Sequence, residues 1–437
     1  MGQRNPQELH DAPGNPPPPF PPPPGHAAPQ WPVAKPKPTF RRTAVKERIL
    51  APDVARGFML LGIAVANAVT AWMVFGSAPL GQRRSLPTDG IVTVANDVLF
   101  HVRGLPMFAM LFGYGIGMLV MREYGRGVPW AYARGLLLKR YGWLAAFGVL
   151  HGIFLFFGDI LLTYALMGLM VTFLVPLRNK TLLWIAAVLG VLSIGVAFLM
   201  QGPMSGMGAA NAQPGDFGGI PFGGDGYLGR QLILGVFTVV SVPVVLVLAG
   251  PQLIALMLVG VVAARMRILE DSETHGKLLA IVAAIGATAA VSTGVLSGLS
   301  KLGIIGGTWA QAVSQSAGIL AGPGLIAVIA LLCRPVQRRI REAAAQGTTL
   351  APPAPLAMMQ ALGQRSMSGY VAQSVLFLPL AGGWLLDRFS GESVTVVSLW
   401  GAAVWLVTLI GAWLLAKAGK AGPLEAMHRR LTYGPRG

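Results

Sequence analysis

An imidazole and a carboxylate stand where apolar residues dominate: His151 and Asp159 punctuate the stretch 151–168, which also carries Gly152, Gly158, Thr163 and Tyr164. An ionisable group at membrane depth is costly and marks a functional site unless a structural role accounts for it. Histidine in such a place can take and return a proton, and a carboxylate bonded to its far nitrogen fixes the tautomer. Asp159 is equally suited to capping a helix start, where an acid meets free amides and the positive dipole end. Nearness in sequence does not by itself join the pair if one helix ends between them. Asp97 and His101, four residues apart as on one helical turn, compete as partners if their segment is helical.

Three further constellations are polar without being loops. Arg56 and Asn67 are eleven residues apart, close to three helical turns, and therefore share a face with a cation at one end and an amide near its middle. Asn67 belongs in the bundle interior, as interhelical glue or as an oxyanion donor. Tyr370, Gln373 and Ser374 form a stripe at three- and four-residue spacing, suited to packing or to a substrate path. Arg429 and Arg430 lie in the tail after the last apolar run, where they can meet anionic lipid or a phosphate-bearing ligand.

The elements that must position these groups follow from composition. Of 437 residues, 54% are hydrophobic and 12% charged, and runs near span length recur. The fold class expected is all-α, a polytopic transmembrane helical bundle with about ten spans. The spans are expected near 55–76, 98–121, 136–157, 159–175, 181–200, 277–299, 311–333, 367–386 and 394–416. The long run 231–266, divided by Pro243, Gly250 and Pro251, adds a broken or interfacial piece and one crossing. Cations concentrate in alternate loops, among them Arg122, Arg126, Arg134, Lys139 and Arg140, then Arg265 and Arg267, then Arg334 to Arg341. That alternation puts both termini in the cytoplasm. The net charge of +17 is thus explained by topology and lipid headgroups, not by nucleic acid. Residues 1–45, with proline runs at 16–19 and 21–24 and a basic end, read as a disordered cytoplasmic tail ahead of a membrane domain at 46–433. The single cysteine, Cys333, excludes an intrachain disulfide and a thiolate metal site; no metal is expected. A phosphate-cradling loop, a dinucleotide fingerprint and a nucleophile elbow are all missing, which argues against ATP-driven pumping and soluble-type serine hydrolysis.

Four blocks in order resemble the YeiB-like family of bacterial membrane proteins, defined by a domain of unknown function. They are the opening Asp53 to Asn67, Leu111 to Gly115, His151-Gly152 to Gly158-Asp159 with Tyr164, and Gly422 to Glu425 with Arg429, Leu431, Thr432 and Tyr433. The chain departs from the family pattern at Leu105-Pro106, Gly369, Ala426 and His428. The wider resemblance is to transmembrane acyltransferases such as heparan-alpha-glucosaminide N-acetyltransferase, and it is one of fold and motif. It implies a multi-pass protein of the bacterial plasma membrane that moves an acyl group from cytoplasmic acyl-CoA to an extracytoplasmic glycan or lipid acceptor. Acyl-CoA would be the co-substrate, held by Arg56, Arg429 and Arg430. His151 or His101 would act as base, oriented by Asp159 or Asp97, with Asn67 at the oxyanion. The alternative is a transporter or lipid-handling protein in which the same groups line a passage. Membrane lipids are expected partners; oligomeric state is not legible.

Overall fold

Backbone amides inside an apolar layer must be paired locally, so a chain of this composition has helices as its available spanning element. The computed structural model describes residues 49–75, 84–101, 103–201, 227–306, 309–382 and 385–434, and every regular element among them is helical. In chain order these are α1 (Leu50–Thr70), α2 (Asp89–Leu99), α3 (Gly104–Tyr124), α4 (Trp130–Phe154), α5 (Leu161–Leu174), α6 (Asn179–Gln201), α7 (Tyr227–Leu248) and α8 (Gly250–Arg265). They are followed by α9 (Gly276–Lys301), α10 (Trp309–Ala317), α11 (Ala321–Ala345), α12 (Ala354–Gln364), α13 (Ser366–Ala381), α14 (Val394–Lys417) and α15 (Pro423–Tyr433). The expected proline-rich tail lies outside the described residues, as does most of the glycine-rich loop after α6.

Seven helical stretches among the described residues are long and apolar enough to cross a membrane, against the ten spans expected. The difference has a physical pattern. Helices α5 and α8, with 14 and 16 residues, are short for a hydrocarbon layer of about 30 Å at about 1.5 Å per residue. Both are packed mostly against protein, so lipid does not set their length. The second expected span is interrupted: α2 ends at Leu99 and α3 begins at Gly104, leaving His101 in the elbow. The run 231–266 also divides, at Ala249. Pro243 sits inside α7 without ending it, whereas Pro251 occupies the first turn of α8, where its missing N–H costs nothing.

The centre of the bundle is α1 and the α2–α3 stretch, whose most apolar windows are 61% and 56% buried; α6 and α7, at 17% and 22%, form the rim. Helices α3 and α8 cross at backbone contact. A Cβ on Gly113 would overlap the Met257 carbonyl, and one on Gly117 would stand 2.6 Å from the Ala264 Cβ, which explains the small-residue spacing there. After the last long apolar helix, α15 folds back and ties two others together. Glu425 accepts from the Met367 and Ser368 amides at 2.8 and 3.0 Å, capping α13, and also takes the Ser368 hydroxyl. His428 Nε2 donates to the Arg140 carbonyl of α4 at 2.8 Å.

That last bond needs a proton on Nε2, which both the neutral Nε2–H tautomer and the imidazolium supply. Burial holds His428 below its usual value near 6.5, opposed by the Arg140 carbonyl and assisted by the Arg140 charge. Over that range the unfolded chain binds the proton that the folded chain refuses, so the contribution is full above about pH 6.5 and is lost as pH falls below it. Hydrogen exchange across 423–433, corrected for intrinsic chemistry, should therefore lose protection as pH falls below about 6.5. His428→Asn should remove that dependence; an unchanged pH profile in the variant would assign it elsewhere.

Candidate functional site

The last turn of α4 closes with both the Leu155 and Phe156 amides bonding the His151 carbonyl at 2.9 Å. The chain then turns sharply, anchored by Phe156, which is fully buried and stacked on Trp72 at 4.8 Å between ring centroids. Gly148 lets the start of α5 rest on α4, since any Cβ there would collide with the Leu162 backbone. This tight return brings Asp159 back onto His151. Asp159 Oδ1 lies 2.8 Å from His151 Nδ1, and Oδ2 accepts from the Leu162 amide at 2.9 Å. Asp159 therefore caps α5 and orients the imidazole at once, each with a different oxygen. Both side chains are 2% exposed.

The third member comes from across the bundle. Ser374 Oγ of α13 is 2.9 Å from His151 Nε2, and Tyr370, one turn earlier, places its ring 5.0 Å from that of His151. With Asp159 ionised, Nδ1 carries the proton and Nε2 accepts from the serine hydroxyl. The Tyr370 hydroxyl in turn accepts from the Ile160 amide at 3.4 Å. The stripe 370–374 thus supplies the partner of His151, a role that its spacing alone does not reveal.

Asp97 and His101 stand in a separate group. Asp97 Oδ1 pairs with Lys301 Nζ of α9 at 2.7 Å, not with His101, because the chain leaves its helix at Leu99 and the imidazole is no longer one helical turn away. Beside them Arg103, 1% exposed, donates to Thr293 Oγ1 at 2.7 Å and to the Ala290 carbonyl at 3.3 Å. These bonds staple the α2–α3 elbow to α9, and no hydrogen bond joins them to His151. Asn67 is half-buried in α1, and its side chain bonds none of the site residues.

Arg56 opens onto a cavity of about 1400 Å³ whose lining includes Tyr370 but not His151, Asp159 or Ser374. One end is ionic, lined by Arg56, Arg122, Arg140, Arg267 and Arg341 with Asp53, Glu270, Asp271 and Glu425. The other is aromatic and apolar, lined by Phe108, Phe112, Ile160, Tyr164 and Tyr370. Arg56 is held by Asp53 at 3.3 Å and by the Leu111 carbonyl at 3.3 Å, with 23% of its side chain exposed. Tyr114 lies in the wall, and its buried hydroxyl has no partner among the described residues. Arg429 and Arg430 are exposed on α15 and do not line the cavity; the cations that do include several whose loop positions suggest only topology. Among the described residues no cluster of His, Cys, Asp and Glu has the geometry to hold a metal.

Asp159 makes a sharp stability prediction. Asp159→Ala removes the α5 cap, worth about 1 kcal/mol, and leaves a buried imidazole nitrogen unpaired, worth about 1–3 kcal/mol. Asp159→Asn keeps the size and an acceptor for Leu162, so its melting temperature in detergent should fall less. Equal losses in the two variants would show that the turn is held by something other than these bonds.

Comparison with known proteins reaches only part of the chain. It is 34% identical over 126 residues to the uncharacterized protein YeiB of Escherichia coli (strain K12), covering 28% of this chain and 30% of YeiB. It is 29% identical over 150 residues to the uncharacterized protein YxaH of Bacillus subtilis (strain 168), covering 32% of this chain and 36% of YxaH. The chain thus matches about a third of the length of these curated relatives. No solved structure matches. The family model for DUF418, protein of unknown function, matches residues 263–435, which include Arg267, Arg341, Tyr370, Ser374, Glu425 and His428 and exclude His151 and Asp159. Through residues 263–435 the chain is thus similar to the DUF418 family of unknown function, and in parts to YeiB and YxaH.

Proposed function

We propose that this is an acyl-CoA-dependent acyltransferase of the bacterial plasma membrane, which passes an acyl group from the cytoplasmic side to an extracytoplasmic glycan or lipid acceptor. One observation carries the reading: a single cavity is cationic at one end and, at the other, ends on the Tyr370 ring that packs against the buried His151–Asp159 pair. A CoA thioester has the matching polarity, with phosphates for the guanidinium groups and an extended apolar arm for the aromatic end. In this reading Arg56, Arg122, Arg140, Arg267 and Arg341 neutralise the donor's phosphates. His151 Nε2 is the base that accepts a proton as the new bond forms, and Asp159 stabilises the imidazolium. The closed, water-poor surroundings strengthen that charge pair and protect the thioester from hydrolysis.

Purified protein should release CoA from acetyl-CoA in the presence of membrane extract supplying an acceptor. His151→Ala should reduce turnover by about a hundred-fold or more while the protein remains monodisperse. Arg56→Ala should act mainly on KM for the donor. Transport of a solute into proteoliposomes with no consumption of acyl-CoA would overturn the enzyme reading in favour of a passage.

A further inference from the structure

The hydrogen-bond order Ser374 Oγ, His151 Nε2, His151 Nδ1, Asp159 Oδ1 runs over two contacts of 2.9 and 2.8 Å, and no other described side chain bonds the imidazole. In enzymes where a serine attacks an acyl carbon, the hydroxyl, imidazole and carboxylate are linked in this order, on folds unrelated to one another. Ser374 is 3% exposed, His151 3% and Asp159 9%, so water does not compete for any of the three. A serine needed only for packing has no reason to spend its hydroxyl on a buried imidazole; the i−4 carbonyl is the usual partner within a helix. Ser292, Thr293, Ser316 and Ser398 all make that bond here, and Ser374 does not.

From this we infer that Ser374 is a nucleophile which carries the acyl group as a transient serine ester. The inference rests on the acyltransferase reading and deepens it from direct transfer to a two-step relay. In the first step the Ser374 proton passes to His151 Nε2 and Oγ bonds to the thioester carbonyl carbon. The carbon–sulfur bond then breaks with its electron pair on sulfur, and the thiolate takes the proton from His151 to leave as free CoA. In the second step an acceptor hydroxyl or amine gives its proton to His151 and attacks the ester carbonyl. The bond to Oγ breaks, and the serine oxygen recovers the proton. Tyr370 serves the oxyanion in both steps. Its hydroxyl accepts from the Ile160 amide, its own proton has no acceptor among the described residues, and it lies one turn from Ser374 on the cavity wall. A covalent relay also removes the need for donor and acceptor to occupy the buried site together.

The test uses full-length protein in detergent with radiolabelled acetyl-CoA and no acceptor, quenched in acid and mapped by peptide mass spectrometry. The expected result is a burst of CoA equivalent to the enzyme and an acetyl ester on Ser374, absent in Ser374→Ala and converted to a hydroxylamine-labile thioester in Ser374→Cys. Turnover in Ser374→Ala should fall by about a hundred-fold or more. Retention of the adduct by the cysteine variant excludes misfolding as the cause. Wild-type turnover by Ser374→Ala, or a label on another residue, would overturn the nucleophile while leaving acyl transfer standing. If wild-type protein leaves acyl-CoA untouched, the acyltransferase reading falls. Labelling of Ser374 by a neutral fluorophosphonate, abolished by His151→Ala, would then retain the nucleophile with a different acyl donor. The lack of such labelling would end it.

Discussion

Burying a histidine and an aspartate side by side in an apolar bundle is unfavourable unless every polar atom finds a partner, and the arrangement around His151 meets that condition almost completely. A lone carboxylate there would cost several kcal/mol. Asp159 avoids this by dividing its oxygens between the imidazole and the first turn of α5, whose dipole favours the negative charge. The second imidazole nitrogen is taken by Ser374. The turn, the start of α5 and the position of α13 are therefore parts of one requirement. Shift any of them and a buried charge loses its solvent substitute.

The requirement propagates along α13 to its first turn. That helix is held at its start by Glu425, whose carboxylate takes two amides and a hydroxyl, and its interior presents Tyr370 and Ser374 to the His151 site. The same α15 that supplies Glu425 is bonded to α4 through His428. Helices α4 and α13, which carry the two sides of the buried site, are thus clamped at their other ends by a single short amphipathic helix. Glu425 and His428 also line the cavity, so the clamp forms part of its wall. Between these ends the cavity changes from guanidinium groups to aromatic rings. This gradient suits a ligand that is anionic at one end and oily at the other.

The group of Asp97, Lys301 and Arg103 illustrates how similar residues serve another purpose. Arg103 spends one nitrogen on Thr293 and a carbonyl of α9, and Asp97 takes the lysine at the end of that helix. The elbow between α2 and α3 needs such anchors because it interrupts a helix in an apolar setting, where freed backbone groups and a change of direction must be stabilised by neighbours. The result is a joint, distinct from the His151 site.

Length, hydropathy and charge alternation determined the class of this protein. A chain with recurrent apolar runs has helical spans as its way to pair its amides, and the glycines at 113 and 117 already marked a close helix crossing. The residues of the candidate site were also legible one by one, since His151, Asp159, Arg56 and the 370–374 stripe are each conspicuous against an apolar background. What sequence spacing could not decide was which of them meet. His151 and Asp159 are eight residues apart, a separation that brings side chains together only if the helix ends between them and the chain doubles back. Ser374 lies 223 residues from His151, beyond any local rule. That Asp159 and not Asp97 meets His151, and that Arg56, Arg122, Arg140, Arg267 and Arg341 line the cavity while Arg429 and Arg430 lie exposed, came from helix packing. Tertiary structure alone set these pairings, because the cost of an unpaired polar group is settled by whichever neighbours the packed bundle brings within reach.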